Sequence, residues 1–300
     1  MTHLADKVKA IGKVLNDPER PLKERFRALF TLKNIGGHSA LEAISDCFQD
    51  SSALLKHELA YCLGQMQDPE ALPVLYGILS NLEEHPMVRH EAGEAIGAIC
   101  NENSLPILKR FIDDPAPEVS ETCQLAIQRI EWFSKNNDRK KSVYNTVDPT
   151  PSLDLSDVKS LKEILLNDEI DLFDRYKAMF ALRDINSPES ILALCEGLFV
   201  GGALFRHEIA FVLGQLQNEI SIPHLIKALE DLSQNEMVRH ECAEALGSIA
   251  NEECFNILRV FLNDESRVVR ESCDVALDMA DYAMSNEFQY ANTALLVQSV

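Results

Sequence analysis

The chain has 300 residues, 46% of them apolar and 25% charged, a composition typical of globular proteins and long enough to bury a large core. Forty-eight Asp and Glu against 28 Lys and Arg leave a net charge of −20. That sign repels phosphate backbones and excludes nucleic acid as an expected partner, while it would steer a cationic ligand or a basic protein patch.

Apolar residues at three- and four-residue spacing (Leu4, Val8, Ile11, Leu15) predict a first helix over about 3–16. Asn16-Asp17-Pro18 stops it, and a second helix near 21–34 ends at Gly36-Gly37. Further helices follow at roughly 39–49, 53–66, 69–81, 87–100, 103–113 and 117–132. The breaks are short and carry Asp, Asn, Pro or Gly; Asp68-Pro69-Glu70 puts a capping residue ahead of a first-turn proline. No segment alternates with the period of two that a strand needs.

Residues 134–157 break the pattern with a polar, proline-containing stretch that reads as a flexible linker. The series then restarts with an offset of 150 residues. Residues 53–67 match 203–217 at nine of fifteen positions, and 87–102 match 237–252 at eleven of sixteen. Helix pairs recurring every 31–33 residues mark an all-α fold, an α-solenoid of eight HEAT-like helical-hairpin repeats in two pseudo-symmetric halves of four. The Trp/Gly/Tyr signature of tetratricopeptide repeats is missing. The expected division is 1–133, linker 134–157, second half 158–283, and a loose tail over 284–300.

Four of the eight histidines are followed at once by glutamate: His57-Glu58, His90-Glu91, His207-Glu208 and His240-Glu241. Thirty-three residues separate the members of each pair, and the two pairs are 150 residues apart. Only the two central repeats of each half carry the dipeptide; the fourth repeats read Ser120-Glu121 and Arg270-Glu271 instead. Neighbouring packing residues vary more, since Tyr61-Cys62 becomes Phe211-Val212. A single His-Glu on a helix is ordinarily a solvated pair, but recurrence at matched register in both halves points to a shared task.

Imidazole and carboxylate together suit a redox metal such as iron. Successive side chains on a helix splay by about 100°, and the partner dipeptide lies one repeat away on a helix about 8–10 Å distant. Two imidazoles can then meet at one ion with a glutamate completing the set. One cluster would use His57, His90 and one or both of Glu58 and Glu91. The other would use His207, His240 and one or both of Glu208 and Glu241.

Other features carry less. Gly64, Gly97, Gly214 and Gly247 each follow a histidine of the set by seven residues, two turns on, and suggest close helix packing or room for a substrate. Met87 and Met237 fit either a core or a pocket wall, and His3, His38, His85 and His224 have no matching partners. The eight cysteines include no C-x-x-C pair, and Cys62, Cys100, Cys123 and Cys273 sit in apolar helical patterns. No run approaches ~18 apolar residues, and Met1-Thr2-His3-Leu4 lacks the opening of a secretion signal. The expectation is a cytoplasmic protein with no membrane partner.

Four His-Glu motifs within HEAT-like repeats in two halves closely resemble the deoxyhypusine hydroxylase family, over about residues 21–283. The resemblance implies a di-iron monooxygenase with two Fe(II) ions per chain and O2 as co-substrate. Its substrate would be the deoxyhypusine side chain, a lysine extended by an aminobutyl group, on translation initiation factor 5A. It further implies His57, His90 and Glu91 on one iron, and His207, His240 and Glu241 on the other. Glu58 and Glu208 would then hold the substrate's amines or support the ligands. Two other classes compete: a HEAT-like interaction scaffold without catalysis, and a zinc hydrolase on the same ligands. The second usually keeps one ion on three protein ligands and a water, against which the duplication argues.

Overall fold

The computed structural model describes residues 2–136, 142–287 and 289–296, and no strand occurs among them. The chain divides into two compact units. The first runs through Lys135 and takes in the described residues from Asn286 onward; the second runs from Asn136 to Ser285.

In the first unit α1 (Thr2–Leu15) packs on α2 (Leu22–Ile35), and α3 (His38–Asp46) leads into α4 (Ala53–Met66). Next come α5 (Leu72–Ser80) with α6 (Pro86–Ile99), then α7 (Leu105–Leu108) with α8 (Pro117–Lys135). The second unit repeats the scheme with α9 (Val158–Leu166), α10 (Leu172–Ile185), α11 (Pro188–Gly197) and α12 (Ala203–Leu216). It continues with α13 (Ile222–Glu230), α14 (Glu236–Ile249), α15 (Glu252–Phe261) and α16 (Arg267–Ala283). In each unit the even-numbered helices form one row, each packed on the next, and every odd-numbered helix through α15 packs against its even-numbered neighbour. Each unit is thus a solenoid of stacked helix pairs, as the periodicity predicts. Helices of 9–14 residues are marginal alone, so burial of Leu59, Leu63, Ile96 and their counterparts between rows holds them.

Local signals set the ends. Ser52 accepts from the Leu55 N–H to start α4, and Asn235 accepts from the Met237 N–H to start α14. His85, at the position that Asn235 holds in the second unit, caps α6 in the same way, its Nδ1 accepting from the Met87 N–H. Gly36 and Gly37, with φ of 68° and 82°, end α2 where the sequence predicts a stop. Gln67 and Gln217 take left-handed φ of 54° and 49° at the ends of α4 and α12. Their side chains donate to Ala98 O and Ser248 O on the next helix of the row, which offsets the strain.

A buried arginine locks each of four pairs. Nε of Arg25, Arg89, Arg175 and Arg239 donates to Leu15, Leu79, Leu165 and Leu229 O, closing the end of the preceding helix. The guanidinium then reaches Asp50, Asp114, Asp168 or Asp264. Arg89 and Arg239 stand immediately before His90 and His240, so the lock also fixes the histidines' helices in register.

Three expectations are corrected. The helix read over 103–113 is α-helical only at Leu105–Leu108 and continues as turns, with Arg110 and Phe111 bonding three residues back. Of the stretch read as a flexible linker, 134–157, α8 takes in Ser134 and Lys135, 137–141 lie outside the described residues, and 142–157 is seated on the second unit. There Asp148 pairs with Arg183 at 2.7 Å, Gln215 donates to Thr146, and Leu153 N–H donates to Lys177 O. Of the tail read as loose, 284–300, residues 288 and 297–300 lie outside the described residues, and the described residues from Asn286 onward are seated on the first unit. Glu287 pairs with Arg27 at 2.8 Å, the Tyr290 ring lies under Arg27 and against Phe30, and α17 (Thr293–Leu296) packs on α2. Each segment is held by a few specific side chains, which leaves no periodic trace in a sequence.

Candidate metal centre

His57 and Glu58 lie on α4, and His90 and Glu91 on α6, the two central even-numbered helices of the first unit. All four side chains are buried, His90 fully. Burying ionisable groups beside one another is unfavourable unless they share a proton, a counter-ion or a metal.

The histidine of one helix meets the glutamate of the next. His57 Nε2 lies 3.3 Å from Glu91 Oε2, and the His57 and His90 ring centroids are 5.4 Å apart. One donor atom each from His57, His90 and Glu91 falls within 4.8 Å of the others. A metal with bonds of about 2.1 Å separates its ligand atoms by about 3.0 to 4.2 Å for angles from 90° to 180°. The three donors therefore fit one ion after small side-chain adjustment.

The second unit reproduces the arrangement on α12 and α14. His207 Nε2 lies 3.3 Å from Glu241 Oε2, His240 Nε2 lies 4.0 Å from the same oxygen, and the ring centroids are 5.3 Å apart. Glu241 therefore stands to His207 as Glu91 stands to His57. The two identical distances follow from the repeated helix packing rather than from similar loops. Two imidazoles and one carboxylate form a donor set suited to ferrous iron.

Glu58 and Glu208 are buried one position after His57 and His207. Burial pushes the Cys62 thiol well up, and the nearby Glu58 and Glu91 charges push it further. Cys242 is raised by burial and then by Glu241. Both thiols stay protonated at neutral pH, which makes them fillers beside the carboxylates rather than ligands. All eight cysteines are free thiols.

Gly64, Gly97, Gly214 and Gly247 serve close packing. A Cβ on Gly97 would stand 2.8 Å from Ala126 Cβ, and one on Gly247 would stand 2.7 Å from Ala276 O. Met87 and Met237 are buried in the core. His38 is an exposed side chain between Glu70 and Glu42, which raise its pKa.

Glu244, outside the residues expected from the sequence, places its Oε1 3.5 Å from His240 Nδ1. Its signal was available: a glutamate follows both His90 and His240 by four residues, as Glu94 and Glu244. Among the described residues no helix is long and apolar enough to cross a membrane.

The family model for HEAT repeats matches residues 48–128 and 202–278, which include all four dipeptides, and that for the PBS lyase HEAT-like repeat matches 174–199. The chain is 58% identical to deoxyhypusine hydroxylase of Drosophila melanogaster over 287 residues, 95% of each chain. It is 53% identical to that of Danio rerio over 97% of each, and 54% identical to that of Homo sapiens over 95% of each. The solved structure of human deoxyhypusine hydroxylase in complex with glycerol superposes with a TM-score of 0.92, covering 94% of this chain and 98% of that one. Similarity of that degree along nearly the whole length, over a donor set built twice from repeated helices, means that the chain belongs to the deoxyhypusine hydroxylase family.

Proposed function

We propose that this protein is an iron-dependent monooxygenase that hydroxylates the deoxyhypusine side chain of translation initiation factor 5A. The observation that carries this reading is the duplicated approach of a histidine to the next helix's glutamate, 3.3 Å in each unit. In one unit His57, His90 and Glu91 hold the ion; in the other His207, His240 and Glu241 do. Bound iron with O2 supplies the oxidising power that insertion into an unactivated C–H bond demands and that no side chain has.

The chain's own residues do the rest. Burial of all eight His and Glu side chains excludes bulk water from the donors and keeps the carboxylates' charge effective. Glu58 and Glu208 are left to receive the amines of the substrate, whose positive charges a buried carboxylate stabilises. The −20 net charge favours approach of a basic partner, and eight free thiols fit a reducing cytoplasmic setting.

Metal analysis of chain purified without chelator tests this first. About two irons per chain, lost on replacing His57 and His207, together with hydroxylation of the deoxyhypusine-bearing factor, is the expected result. Zinc in their place would move the assignment to a hydrolase, and no metal after anaerobic ferrous reconstitution would leave a scaffold. Glu58→Ala and Glu208→Ala should raise KM for the protein substrate roughly 10-fold or more while iron content stays constant. Loss of iron from those variants would make them ligands instead.

A further inference from the structure

The His240 ring has a carboxylate at each end. Its Nε2 faces Glu241, 4.0 Å away, and its Nδ1 faces Glu244, 3.5 Å away. Glu244 lies one turn farther along α14, where four-residue spacing sets side chains on the same side of a helix. Its side chain is only 15% exposed, and its charge adds to the upward push on the Cys273 thiol of α16. The nearest cation in sequence, Arg239, is committed elsewhere, to Leu229 O and Asp264.

We propose that Glu244 is a positioning residue for the second unit's metal, accepting the Nδ1–H of His240 once the ring turns to close the 3.5 Å gap that leaves the two atoms short of a hydrogen bond here. This holds the imidazole in the tautomer whose Nε2 lone pair faces Glu241, and it limits rotation of the ring. Histidine ligands commonly donate their second N–H to a carboxylate in this way.

The repeat gives the proposal a pattern. Glu94 stands at the same place relative to His90. Tyr61 and Phe211 stand there relative to His57 and His207, and neither offers a carboxylate. In each unit, then, one histidine has an acid four residues on in the sequence, and the other meets the glutamate of the neighbouring helix directly.

The inference rests on the reading that the His-Glu sets hold metal, and the test separates the two. Metal-free full-length protein is titrated anaerobically with Co(II) alone and followed by visible absorption, for wild type, Glu244→Gln and Glu244→Leu. Wild type is expected to bind two ions. Glu244→Leu should weaken one of them 10–100-fold and change its ligand-field bands, while the other site and the melting temperature of the metal-free protein hold. Glu244→Gln, whose amide oxygen still accepts, should recover most of the affinity. Two sites of unchanged affinity in Glu244→Leu would overturn the positioning role alone. So would equal losses in Leu and Gln variants accompanied by a lower metal-free melting temperature, since that marks a packing role. No cobalt bound by wild type would overturn the metal reading together with this inference.

Discussion

At the scale of single residues, the structure separates groups that act from groups that hold. Gly247 approaches Ala276 so closely that a methyl group would overlap both its Cβ and its carbonyl oxygen. Gly247→Ala should therefore cost about 1–3 kcal/mol in urea unfolding through forced separation of α14 and α16. Gly77, with open space at its Cβ, should accept alanine without loss. Arg89 is the second case. It pairs with Asp114 at 2.6 Å, with both side chains buried, and Arg89→Leu should cost about 3–5 kcal/mol by stranding that carboxylate. Arg20→Leu, on an exposed pair with Glu24, should cost less than about 1 kcal/mol. Burial pushes the Asp114 carboxyl up, but Arg89 and the Ala116 N–H outweigh it and hold it below the usual range. A depressed carboxylate contributes stability above its unfolded pKa of about 4 and loses it as pH falls through the folded value. The wild-type melting temperature should thus fall below about pH 4, and the Arg89→Leu variant should show a shallower fall.

At the scale of elements, most helices were legible, whereas the seating of 142–157 and of the tail was not. Caps, proline positions and apolar spacing located α4 to the residue, because those signals are local. The segment over 142–157 and the described tail from Asn286 have no apolar helical spacing like that of α4, and each is seated by a few specific contacts, such as Asp148 on Arg183 and Glu287 and Tyr290 on Arg27. Missing helical periodicity predicts a lack of helix, which holds over 142–157 but not at α17 (Thr293–Leu296), and it does not predict a lack of order. Ending the chain after Ser285 should uncover α1 and α2, against which α17 packs. Hydrogen exchange in α1 and α2 should quicken while α12 and α14 stay protected. Uniform loss of protection throughout the second unit would contradict local seating of the tail.

At the scale of the whole molecule, charge and duplication dominate. If the proposed protein substrate approaches through a basic patch, a net charge of −20 predicts that its association depends on ionic strength. KM should rise several-fold between low and physiological salt, with kcat nearly constant. A KM independent of salt would confine recognition to the buried carboxylates. Duplication places the same donor set in each unit, which is why the sequence alone could point to paired clusters.

The sequence by itself determined the helices, the doubling and the eight His and Glu positions, because periodicity and repetition are properties of order along the chain. Only the tertiary structure decided that His57 meets Glu91 and His207 meets Glu241 across neighbouring helices. It also decided that Glu244 stands behind His240, and that the segment over 142–157 and the tail are seated. Such pairings depend on interhelical distance and side-chain direction, which residues adjacent in the chain do not encode.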